Sequence, residues 1–116
     1  MHNPDAPMKY PNWNESVTFN DHGPSPTTIL ETDHLKAVLV GLKAGQAIPM
    51  HPSPEAVYHF MQGTGTMTVN DDTFTIEPGI TITTPTGSRR GIEAATDIVF
   101  LGTTRPASHE TTNETR

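Results

Sequence analysis

Glycine or proline interrupts this chain before almost any regular element can grow long. Between the interruptions lie short runs rich in β-branched and aliphatic residues: "SVTFN", "TTILET", "LKAVLVGLKAG", "AVYHFMQG", "TMTVN", "NDDTFTIEPG", "ITITTPTG" and "DIVFLGTT". Val, Ile and Thr are stiff at χ1 and pack well on a pleated surface, so such runs favour strands. "ITITTPTG" alternates Ile and Thr, as a strand with one buried face does. Asn70-Asp71-Asp72 marks a hairpin turn, because these side chains bond locally and tolerate positive φ. No stretch keeps a helical period over about ten residues or more. About eight short strands at close spacing predict an all-β domain, a sandwich or barrel.

A chain of 116 residues fits one domain. Only 33% of it is hydrophobic, enough for one core if the polar residues gather in the turns and at the ends. The ends read that way. Residues 1–14 form a flexible arm rich in Pro, Asn and Asp, residues 15–104 the barrel, and residues 105–116 a disordered polar tail. Within the arm, Tyr10 and Trp13 are large apolar groups that seek cover. The net charge of −6 argues against nucleic acid and against an anionic membrane surface. No apolar run approaches the roughly 18 residues of a membrane span. There is no cysteine, hence no disulfide and no thiolate, and no signal peptide is visible. The expected compartment is the cytoplasm.

The densest chemistry lies in "GQAIPMHPSPEAVYHFMQGTG", residues 45–65, which carries His51, Ser53, Glu55, Tyr58 and His59. Gly45 is followed after five residues by His51, then Ser53, and Gly63 closes the segment. Further on, Gly79, Pro85 and Gly87 lead to Arg90. These two frames resemble the two signature motifs of the cupin superfamily, over roughly residues 35–102. The resemblance implies a small single-domain, RmlC-like jelly roll: a double-stranded β-helix whose barrel is built of two antiparallel sheets. Such proteins commonly pair as homodimers. "TTILET", "SVTFN" and the Tyr10–Trp13 segment are the candidates for crossing to a partner, since an open sheet edge needs covering.

In a metal-binding cupin, three imidazoles and a carboxylate converge on a divalent transition metal such as Fe, Mn, Ni, Cu or Zn. At the corresponding positions this chain keeps His51 and has Ser53, Ala56 and Arg90. The asparagine expected further on is Ala94. One imidazole does not hold a divalent ion, and a permanent cation beside it opposes one. The reading therefore favours no metal cofactor. A rearranged set of His51, Glu55 and His59 is the metal-binding alternative. It needs a bulge, because strand alternation turns Ala56, Tyr58 and Phe60 inward and His59 outward.

Two functions stay open. In the first, the barrel encloses a small, anionic or oxygen-rich organic ligand, lined by His51, Ser53, Tyr58 and Arg90, with Arg90 as a bidentate anion clamp. In the second it is an enzyme. That enzyme is either metal-dependent, of dioxygenase, isomerase or lyase type, or metal-free with His51 as acid or base. Arg90 has a plainer option too, a surface pair with Glu93.

Overall fold

The computed structural model describes residues 6–106. The expected flexible arm and polar tail fall partly outside that range, as do His2 and His109. One short helix, α1 (Trp13–Ser16), precedes nine strands: β1 (Ser25–Glu31), β2 (Lys36–Leu42), β3 (Ala47–Ser53), β4 (Ala56–Gln62), β5 (Gly65–Val69), β6 (Asp72–Ile76), β7 (Thr81–Thr84), β8 (Ser88–Ala94) and β9 (Ile98–Thr104). They form two antiparallel sheets, one in the order β1-β2-β9-β4-β7 and the other β3-β8-β5-β6. The expected all-β barrel of two sheets is the architecture found.

The inner faces of the two sheets supply one core. Leu42, Phe60, Met67, Ile76, Ile92 and Ile98 are sealed from solvent within it. Phe100 links its aromatic part, with ring centroids 5.5 Å from Tyr58 and 5.3 Å from Phe60. β4 alternates as its sequence requires: Ala56, Tyr58 and Phe60 are buried, while Val57 and His59 are exposed. The turns follow their residue chemistry. Asn70 takes φ 55° in the β5–β6 hairpin, and Gly63 and Gly79 take φ near +90° between strands.

Three strand expectations need correcting. "SVTFN" is not a strand: residues 17–19 are irregular and Asn20 makes only an isolated bridge to Gly23. Its Phe19 lies on Gly41 of β2, where an added Cβ would come within 2.3 Å of the Thr18 carbonyl oxygen and 3.1 Å of the Phe19 ring. The segment thus covers one face of the sheet instead of extending an edge. β3 escaped the sequence reading because Pro49 and Pro52 interrupt it; it is an edge strand, where missing N–H donors are tolerated. β8 escaped because Arg89 and Arg90 interrupt its apolar alternation. Ahead of α1, the Tyr10 hydroxyl donates to the Ile29 carbonyl of β1 at 3.3 Å.

Candidate functional site

Directly opposed residues in an antiparallel sheet share a face, so the register of the five-stranded sheet can be read as inward-facing rows. Lys36, Thr104 and Ala56 make one row, Val38, Gly102 and Tyr58 the next, Val40, Phe100 and Phe60 the third. Gly102 has no side chain to offer in the middle row. The nearest atoms to a Cβ there would be those of the Phe100 and Tyr58 rings, at ordinary contact distances of 3.4–3.8 Å, so a side chain could be accommodated. A cavity of about 280 Å³ occupies that gap. Pro26, Lys36, Val38, Val40, Ala56, Tyr58, Phe100, Gly102 and Thr104 line it from the five-stranded sheet. Ile48 and Arg90 line it from the four-stranded sheet.

Arg90 governs the electrostatics of this cavity. Its Nε donates to the Tyr58 hydroxyl oxygen at 3.0 Å. Its Nη1 is buried and has no hydrogen-bond partner. No ion pair joins it to Glu93 among the described residues, so the plain surface pairing is not the one adopted. Because the phenol oxygen accepts from Nε, its own proton remains free to donate. The cavity thus offers guanidinium N–H groups, a phenol and the Lys36 ammonium, with no carboxylate in its lining. Buried donors on apolar walls suit an acceptor-rich, negatively charged guest.

The other expected site residues are distributed differently. His51 stands directly opposite Arg90 across the β3–β8 ladder. Its ring is nevertheless exposed, Nδ1 donates to the Pro52 carbonyl at 2.8 Å, and it does not line the cavity. The ladder slips between Ile48 and His51 and resumes with His51 opposite Arg90 and Ser53 opposite Ser88. Ser53 is buried but closed on itself: its hydroxyl donates to the Pro54 carbonyl at 2.8 Å and lies 3.4 Å from Thr84 Oγ1. Of the four expected ligand-binding residues, the cavity brings together Tyr58 and Arg90 and leaves out His51 and Ser53. It adds Lys36 and Gly102, which the sequence reading missed. Alternation through "KAVLVGL" contained the signal for Lys36, since it shares parity with the inward Val38 and Val40.

The residues do not fit a divalent metal. By the motif resemblance Ser53, Ala56 and Arg90 take the ligand positions, and the rearranged trio does not converge. Glu55 accepts from Thr86 Oγ1 at 3.1 Å and from Arg105 at 2.9 Å. His59 lies on the outer face of β4 with Nδ1 2.9 Å from Thr81 Oγ1. No three His, Asp or Glu side chains among the described residues are grouped to hold an ion. A larger groove of about 560 Å³, lined by His34, Glu55, Val57 and Arg105 among others, is a weaker candidate because its guanidinium is already paired with Glu55. The clear shifts in proton affinity also lie elsewhere. A hydrogen bond from Lys43 holds the Asp21 carboxyl below the usual range and raises the ammonium in turn, in an exposed pair of no evident chemical role.

No protein-family model and no curated protein matches the sequence. Solved structures do. An RmlC-like cupin protein from Desulfovibrio desulfuricans is 28% identical over 83% of this chain and 94% of its own, with a TM-score of 0.73. The chain has the fold of a small cupin. A conserved protein of unknown function from Streptococcus pyogenes is similar in shape at 22% identity, covering 91% of this chain and 95% of that one, with a TM-score of 0.75. So is a Klebsiella pneumoniae protein with a double-stranded β-helix domain, at 17% identity, 86% and 91% coverage and a TM-score of 0.76. The cavity of this chain carries the guanidinium of Arg90 on one wall. No helix among the described residues is long and apolar enough to cross a membrane.

Proposed function

We propose that this cupin binds a small organic anion between its sheets without a metal ion, Arg90 clamping the anionic group and Tyr58 donating beside it. The observation that carries the reading is the buried Nη1 of Arg90, which has no partner. A buried donor without a partner costs about 1–3 kcal/mol, and a small turn of the guanidinium toward an incoming carboxylate would recover that with a charge-assisted bond. Val38, Val40, Ile48 and Phe100 supply the apolar wall for the rest of the ligand. At about 280 Å³ the cavity lies at the lower limit of ordinary ligand sites, roughly 300–1,000 Å³, which points to a compact metabolite. A reducing cytoplasm suits a chain without cysteine. A homodimer suits the open edges of β1, β3, β6 and β7, and sedimentation at twice the 12.6 kDa chain mass is its test.

Thermal unfolding with a panel of small carboxylates tests the reading. An acid at tenfold excess over its Kd adds about 1.4 kcal/mol, a rise of roughly 4–6 °C in Tm for a domain of this size. The rise should vanish in Arg90→Ala. It should vanish also in Gly102→Val, which fills the cavity without removing a polar group. A panel that never moves Tm, or a rise that survives both substitutions, refutes the proposal.

A further inference from the structure

Lys36 gives the cavity a second cation, and the sheet register says where it stands. It lies in the row of Thr104 and Ala56, one row from the Val38–Gly102–Tyr58 row that Arg90 reaches through the Tyr58 hydroxyl. Alternate residues on one face of a strand are spaced by about 7 Å. The two cations therefore enter from different sheets at different levels. Neither has an ion-pair partner among the described residues. Glu31 is the cross-strand neighbour of Lys36, yet it is exposed, does not line the cavity and makes no ion pair with it.

The charge pattern is unusual for this chain. It has 7 Lys and Arg against 13 Asp and Glu, yet the cavity lining holds Lys36 and Arg90 and no acidic residue. Two cations facing one cavity repel one another. A guest with a single anionic group meets one of them and leaves the other uncompensated. We infer that the ligand is a compact dianion with an anionic group at each end, a short straight-chain dicarboxylate, one carboxylate held by Arg90 and Tyr58 and the other by Lys36. The inference rests on the reading above and narrows its ligand class; Lys36 becomes the residue that sets specificity.

Calorimetric titration of the purified full chain at fixed ionic strength tests this with matched pairs: glutarate against pentanoate, adipate against hexanoate. The diacid of at least one pair should bind about tenfold tighter than its monoacid, the worth of one added charge contact. Lys36→Met, which keeps the apolar stem, should bring the pair within about twofold, while Lys36→Arg should retain the preference. Arg90→Met should weaken both members of the pair. Equal binding of diacid and monoacid, or a preference that survives Lys36→Met, overturns the dianion while leaving an Arg90-dependent carboxylate site intact. A phosphate monoester that outcompetes both acids overturns it too. If none of the four acids binds, the underlying carboxylate reading falls with it.

Discussion

Arg90 keeps one guanidinium nitrogen out of water with nothing to bond, while its Nε is spent on Tyr58. A structural arginine would have a carboxylate at that nitrogen; the buried, unmet donor is a stability cost that a ligand can offset. The ligand-free Arg90→Met protein should therefore be no less stable than the parent and is expected to gain about 1 kcal/mol, because a hydrophobe of similar length fills the place of an uncompensated cation. Urea titration measures this. A marked loss of stability would mean that the guanidinium is holding the sheets together. His51 teaches the opposite lesson at the same ladder position. It stands opposite Arg90, yet its ring is exposed and bonded to the Pro52 carbonyl. Facing inward by parity and entering the cavity are different properties.

The strands differ in how plainly they announce themselves. β4 and β7 alternate cleanly, so their inward residues follow from a period of two. β3 and β8 do not, since prolines break one and arginines the other, and these two strands frame the site. The connection from β4 to β5 shows how tightly a turn can be specified. Gly63 takes φ +94°, and a Cβ there would lie 2.1 Å from the Asp97 carbonyl oxygen and 2.7 Å from the Ile98 Cα. Both clashes are with backbone, which cannot swing aside. Gly63→Ala should lower stability by about 2–4 kcal/mol, seen as a fall in the urea midpoint with the slope unchanged. A shift under about 0.5 kcal/mol would show that the connection between β8 and β9 is free to move.

Across the whole molecule, neighbours in the sheets are often remote in sequence: β2 pairs with β9, and β3 with β8. Such pairing closes long loops before it is rewarded, so refolding should take milliseconds to seconds. Stopped-flow fluorescence of the single, half-buried Trp13 would follow it, and completion within microseconds would contradict a nucleus built on these distant pairs. Those long-range pairings also mark the limit of the sequence reading. Rotamer stiffness, side-chain parity and the backbone freedom of glycine and asparagine act over a few residues. They were enough for an all-β chain, for the inward turn of Tyr58 and the outward turn of His59, and for the turns at Asn70, Gly63 and Gly79. A cavity is made between elements. The vacancy at Gly102 counts only because β9 lies between β2 and β4, and Lys36 joins Arg90 only because two sheets close over the same space. Distances of that kind arise from packing the whole chain at once, and no local pattern of residues carries them.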